Sequence, residues 1–221
     1  MSDKTPDQTR FKRTESSRRY RRQTLAERRA TRRAKLIDAA VQAFGTKGFR
    51  ATPIEELCAA AGVSTRNFYE EFPGREALLI ALHDELNQRA LAAVTRAVAE
   101  SDPDDIEARA RAGTLAYFRV MTEDRRWARI ALVESVGVSA TAERHRRRAI
   151  DRFAQLLLAE ANRAADAGLI AKRDYSLTSV ALVGAINGLI NTWTADRGWE
   201  ARIEQIAAEG ARLITLATRG S

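Results

Sequence analysis

Cysteine, histidine and proline are all scarce in these 221 residues, at one, two and four respectively. A single cysteine, Cys58, excludes an intramolecular disulfide and fits a reducing compartment. With only His83 and His145 beside it, no cluster of nitrogen and sulfur ligands can be assembled, so no metal or other cofactor is expected. Long hydrophobic runs are also missing. The longest, Val180 to Ile190, is interrupted by Asn187 and falls short of the roughly 20 residues that span a bilayer. No early apolar block resembles a secretion signal; a cytoplasmic protein with no membrane partner is expected. There is no G-x-S-x-G element and no phosphate-cradling glycine loop, which makes an enzyme the weakest functional class.

What is present favours helix. Ala, Leu, Arg and Glu dominate, 45% of residues are hydrophobic and 30% are charged, the composition of a helical globular chain. The net charge of +8 is unevenly distributed. Residues 1–35 hold thirteen basic side chains against four acidic ones, which leaves twenty-four against twenty-five in the remainder. Excess positive charge at one end points to a polyanionic partner.

Residues 1–23 have almost no aliphatic side chains and read as a flexible basic arm. Thr24 with Glu27 forms a capping box that starts a helix at Leu25, and Leu36, Ala40 and Phe44 repeat at i+4 on one face. Gly45–Gly48 end it. A second helix is expected from Thr52 as cap and Pro53 as first residue to about Ala60. Gly62 then turns the chain, and Ser64 caps a short third helix from Thr65 to about Glu71. Pro73-Gly74 breaks it before a long fourth helix carrying Leu78, Leu82 and Leu86. Asp102 as cap and Pro103 open the next one. Further helices are expected over about 103–122, 125–136, 140–167, 176–196 and 200–218, and no segment reads as a strand. The expected fold is all-α: a helix-turn-helix domain over 24–75, then a helical domain over 76–221.

Two short helices joined at a glycine turn make a helix-turn-helix, whose second helix enters the DNA major groove by its N-terminal residues. Phe68 and Phe72, with Val63, would face inward, leaving Thr65, Arg66 and Asn67 exposed at the leading end. Arginine reads guanine and asparagine reads adenine in bidentate fashion, each worth about 1–3 kcal/mol of discrimination. Tyr69 would offer its hydroxyl to a phosphate. The stretch Gly48 to Leu79, "GFRATPIEELCAAAGVSTRNFYEEFPGREALL", resembles the DNA-binding segment of the TetR family of transcriptional regulators. The resemblance is strong over roughly residues 30–85. It implies base contacts from Thr65, Arg66 and Asn67, and backbone contacts from Thr52, Ser64, Tyr69 and Arg75, the last where the family usually has lysine. Glu71 departs from the pattern, since the family often has a phosphate-gripping histidine there; an acid must turn away from DNA or forgo the contact. In the arm, Arg18, Arg19, Arg21 and Arg22 suit the minor groove or flanking phosphates.

The remaining two-thirds resembles the family's effector-binding and dimerisation domain in length and helical pattern. Ser176–Trp193 is apolar around nearly its whole circumference and needs cover on two sides. Ala181, Gly184 and Gly188, with Ile206, Gly210 and Leu213 of the last helix, are the expected dimer interface. The resemblance implies a four-helix bundle with a second copy, hence a homodimer on a palindromic operator of double-stranded DNA, most often as a repressor. Tyr117, Phe118, Met121, Trp127, Phe153, Leu157 and Trp193 are candidates to line a pocket for a small apolar or amphipathic effector, with Asn187 and Asn191 as its polar contacts. A different class is an architectural DNA-binding protein with no effector.

Overall fold

A computed structural model describes residues 24–195 and 202–219. The basic arm with Arg18, Arg19, Arg21 and Arg22, and the expected break at 196–199, lie outside the described residues. Within them run nine α-helices and one π-helical turn: α1 Leu25–Thr46, α2 Ile54–Ala61, α3 Thr65–Glu71, α4 Arg75–Ala99, α5 Ile106–Thr122, α6 Arg125–Arg129, the π turn Ile130–Glu134, α7 Ala140–Asp166, α8 Ser176–Ala195 and α9 Ile203–Arg219. No helix of the described residues is long and apolar enough to cross a membrane.

Local chemistry accounts for most of the boundaries. Thr24 and Glu27 exchange their capping bonds at the start of α1. Ser64 Oγ accepts from the Asn67 N–H at 3.2 Å, satisfying one of α3's orphan donors. Gly62 closes α2 at φ 62° and ψ 38°, a left-handed conformation that glycine adopts without the steric cost of a side chain. Three expectations shift. Pro53, not Thr52, precedes the first helical residue of α2, because the Thr52 hydroxyl turns inward and donates to the Gly48 carbonyl. Asp105, not Asp102, caps α5 by accepting from the Ala108 N–H at 2.8 Å. The single helix expected over 125–136 divides into α6 and the π turn, where the Ser135 N–H reaches back five residues to the Ile130 carbonyl.

Two apolar clusters organise the chain. The first joins Leu36, Ala40 and Phe44 of α1, Leu57 and Cys58 of α2, Phe68 of α3 and Phe72 at its C-cap, Leu78, Leu79 and Leu82 at the start of α4, and Ile130. The second joins Leu86 and Ala90 further along α4 to Tyr117, Phe118, Met121, Ile190, Trp193, Ile206 and Ala207. Helix α4 is thus one rod set in both clusters, and Ile130 carries the later part of the chain into the first. The core of the N-terminal module therefore reaches beyond residue 75, to Leu82 on α4 and Ile130 on the π turn.

Candidate nucleic-acid interface and internal cavity

A seven-residue helix has no stability of its own in water. What holds α3 is its aromatic underside: Phe68 is completely buried, Phe72 nearly so, and the Phe68 ring meets Tyr69 and Phe72 at centroid distances of 5.5 and 6.1 Å. Anchoring one side leaves the other bare. Thr65 and Arg66 are exposed and Asn67 is half-exposed; the Arg66 side chain is 90% accessible and pairs with Glu70 at 3.6 Å. Tyr69 lies 54% exposed beside them.

Glu71 turns away from this surface. Its side chain is only 4% accessible and is clasped by Arg32 at 3.0 Å and Arg29 at 3.4 Å, both from α1. The acid that would repel a phosphate instead ties α3 to α1, and Arg33 covers the Phe72 ring at 4.4 Å. Two expected backbone contacts are placed differently from the expectation. Thr52 is fully buried, its hydroxyl engaged by Gly48. Arg75 is half-buried; it donates to the carbonyls of Phe49 and Thr52 and lies 5.2 Å over the Phe49 ring, fastening the α1–α2 loop to α4. Ser64 and Tyr69 do present to solvent. Cys58 is a buried core residue whose thiol is pushed up by burial.

The α1–α2 loop is also gripped from the other domain. Glu134, at the end of the π turn, accepts the Phe49 N–H at 2.8 Å and pairs with Arg129 at 2.9 Å. Arg129 donates in turn to the Thr46 carbonyl at 2.9 Å. Gly45 permits this approach, for a Cβ there would lie 2.3 Å from the Arg126 Cβ. Sequence reasoning missed this junction, because 85 residues separate Glu134 from Phe49 and an acid on an amphipathic segment carries no local signal.

A cleft of about 1020 Å³, counting its open mouth, lies between α4, α5, α7, α8 and α9. Its walls are mostly aliphatic, and Tyr117, Phe153, Leu157 and Asn187 line it as expected. Tyr117 donates to Asn187 Oδ1 at 2.7 Å, and burial pushes the phenol far above its ordinary value. At the end remote from the DNA-facing module, buried Arg109 pairs with Glu160 at 2.7 Å. Phe118, Met121 and Trp193 prove to be core rather than lining: they are 0, 1 and 3% accessible and pack in the second cluster. Trp127 is half-buried, packed against both clusters and beside a separate surface hollow. Asn191 borders a second, smaller chamber with Asn187.

Helix α8 has the two-sided character its sequence indicated. Leu182, Val183 and Ile190 are buried, whereas Ala181, Gly184 and Gly188 are exposed beside Val180 and Leu177, the last 85% accessible. On α9 the expected interface residues divide. Ile206 is buried in the second cluster, and a Cβ on Gly210 would lie 2.8 Å from Thr114 of α5, so both face the chain's own core. Leu213 is half-buried and Leu216 is exposed.

The model of the bacterial regulatory proteins of the tetR family matches residues 36–82, which run from the middle of α1 through α3 into α4. Over these residues the chain carries the TetR-family DNA-binding segment. The HTH-type transcriptional regulator EthR of Mycolicibacterium smegmatis is 36% identical over 87 residues, a match spanning 39% of this chain and 40% of EthR. The chain therefore aligns with well under half the length of that relative. Solved TetR-like structures share the fold over most of the chain. The fatty acid degradation regulator FadR of Bacillus halodurans superposes with a TM-score of 0.74 at 18% identity, covering 83% of this chain and 94% of its own. FadR of Bacillus subtilis, solved in complex with stearoyl-CoA, gives 0.73 at 17% identity over 85 and 98%.

Proposed function

We propose that this TetR-family protein is a ligand-responsive transcriptional repressor that binds a palindromic operator as a homodimer. The observation that carries the reading is the asymmetry of α3: Phe68 and Phe72 are sunk in the core while Thr65, Arg66 and Asn67 stand at the exposed leading end. In this reading those three touch base edges, and Ser64, Tyr69 and the arm arginines position the backbone. Thr52 and Arg75 act indirectly, by fixing the loop ahead of α2. Residues 24–75 serve as the reading module and 76–221 as the effector and dimerisation domain, with α4 common to both.

The exposed small-residue face of α8, together with Leu213 and Leu216, supports pairing with a second copy through close backbone approach. A twofold pair presents its reading helices to half-sites one helical turn, about 34–36 Å, apart or a multiple of that. The aliphatic cleft supports an apolar or amphipathic effector, in keeping with the stearoyl-CoA bound by the B. subtilis FadR. Its effect on DNA follows from linkage: it shifts affinity by as much as it prefers one spacing of the reading helices.

The test combines selection of bound duplexes from a random pool with sedimentation of the free protein. Enrichment of one inverted repeat by a dimer supports the reading. A monomer, or equal binding to every duplex, defeats it and favours the architectural alternative.

A further inference from the structure

Two acids follow one another at the end of α3, and the fold treats them differently. Glu71 is nearly enclosed and closes on α1. Glu70 stays on the surface one turn beyond Arg66, its side chain 45% accessible. An acid in the last turn of a helix opposes the helix dipole. On a surface that meets a duplex it also repels phosphates. Glu70 therefore carries two costs, and neither the Ser64 cap nor the aromatic anchor of α3 depends on it.

The two oxygens of Glu70 face two arginines. Oε1 lies 3.6 Å from Arg66 Nε, and Oε2 lies 3.6 Å from Arg32 Nη2. Arg32 is itself held by Glu71 at 3.0 Å, and Arg29 donates to the Glu70 carbonyl at 3.4 Å. Alternating charges thus run from Glu71 through Arg32 and Glu70 to Arg66, from the α1–α3 contact out to the exposed end of the helix. At 3.6 Å the Glu70 contacts are ion pairs, not hydrogen bonds. They bias the Arg66 side chain without locking it. Which nitrogen meets the acid decides what is left for DNA. Nε sits at the root of the guanidinium fork, so the two terminal nitrogens remain for the O6 and N7 acceptors of guanine. An arginine that turns aside to a phosphate instead draws its charge away from Glu70. The carboxylate then stands beside the polyanion answered by Arg32 alone, a repulsion aimed at the contact that carries no sequence information.

We infer that Glu70 is a positioning residue for Arg66: braced by Arg32, its carboxylate keeps the arginine tip-first toward base edges, penalises its use on phosphates and so sets the ratio of specific to nonspecific binding. This rests on the base-contact reading of Arg66 proposed above and adds what makes that contact selective. Without Glu70, Arg66 is a long, 90% accessible cation, suited to any phosphate within reach. Glu70 weakens binding to duplexes in general and spares the one whose guanine lies in place.

The test is a double-mutant cycle on the full chain. Native protein, Glu70→Gln, Arg66→Ala and the double variant are titrated by fluorescence anisotropy against the selected duplex and a scrambled one, at several salt concentrations. Glutamine keeps the size and helix propensity of the side chain and removes the charge. Both positions are exposed, so the variants keep the native melting temperature. Glu70→Gln tightens the scrambled duplex by about threefold or more and steepens its dependence of log K on log salt by up to about 0.9, one further phosphate. The selected duplex changes less, so the specificity ratio falls by about threefold or more. In the Arg66→Ala background the same substitution leaves the ratio unchanged, because no guanidinium remains to redirect. An equal fall with and without Arg66 overturns the inference and gives Glu70 a base contact of its own, to cytosine N4. A ratio lowered by Arg66→Ala but untouched by Glu70→Gln overturns the positioning role alone. Arg66→Ala at the native ratio instead strikes the base-contact reading, and this inference with it.

Discussion

Replacing Glu134 with alanine tests whether the π turn holds the reading module in place. The carboxylate accepts the N–H of Phe49, whose side chain is buried, at 2.8 Å and pairs with Arg129. A hydrogen bond to a charged acceptor is worth about 1.5–3 kcal/mol. The Arg129 guanidinium is 41% accessible, so its pair adds no more than about 1 kcal/mol after solvent screening. Glu134→Ala is therefore expected to cost about 2–4 kcal/mol. For a chain of this size that corresponds to a fall of roughly 5–15 °C in melting temperature. Glu134→Gln keeps an oxygen for the Phe49 N–H and should cost only about 1 kcal/mol. Glu123→Ala, which removes an exposed partner of Arg89, is the control and stays within about 0.5 kcal/mol. Urea unfolding followed by circular dichroism measures all three. An alanine variant no less stable than the glutamine variant, or as stable as the control, would refute the assignment of the Phe49 contact as the dominant one. In the folded fraction, the alanine variant should also show a smaller effect of ligand on duplex affinity, because the Glu134 bond from the π turn to the loop is then lost.

Arg66→Ala should leave the melting temperature unchanged, yet lower the ratio of specific to nonspecific duplex affinity by about five- to a hundredfold, the worth of one bidentate base contact; fluorescence anisotropy with matched and scrambled duplexes reads both. Deleting residues 1–22 should flatten the dependence of log K on log salt by about 0.9 for each phosphate the arm neutralises, and an unchanged slope removes the arm from the mechanism. Leu177→Glu together with Val180→Glu puts charge on the exposed face of α8 and should convert dimer to folded monomer in sedimentation; a persistent dimer places the interface elsewhere. For His83, burial lowers the folded-state affinity for a proton, with Asp84 opposing and His145 and Arg146 assisting. The unfolded chain then binds the proton first, so His83 weakens the fold as pH falls below about 6.5. His83→Gln should flatten the stability profile in that window, and an identical profile would refute the assignment.

The helix-turn-helix was legible because its signals are local. Thr24 and Glu27, Gly62, Ser64 and the i, i+4 pair Phe68 and Phe72 each act within a turn or two of chain, and α3 forms over the expected Thr65–Glu71. The same holds for the long helices, whose apolar spacing and scarcity of proline leave little alternative. Pocket residues were less legible, since an aromatic on an inward face packs or lines a cavity according to what faces it. Tyr117 and Phe153 border space, whereas Phe118 and Met121, on the same helix as Tyr117, are filled against. A histidine on the apolar side of α4 beside Leu79, Leu82 and Leu86 is a usable clue to the smaller chamber, which it borders, one that a count of metal ligands passes over.

By itself the sequence determined an all-helical chain with one basic end and a short reading helix whose leading residues have no apolar reason to be buried, because capping, turning and helical periodicity are decided by neighbours a few residues apart. Only the tertiary structure decided how the long side chains pair. Glu71 closes on Arg29 and Arg32, Arg75 and Thr52 turn to the backbone of a loop, and Glu134 reaches Phe49 across the domain junction. A charged group selects its partner by desolvated distance, and that distance exists only once the helices have packed.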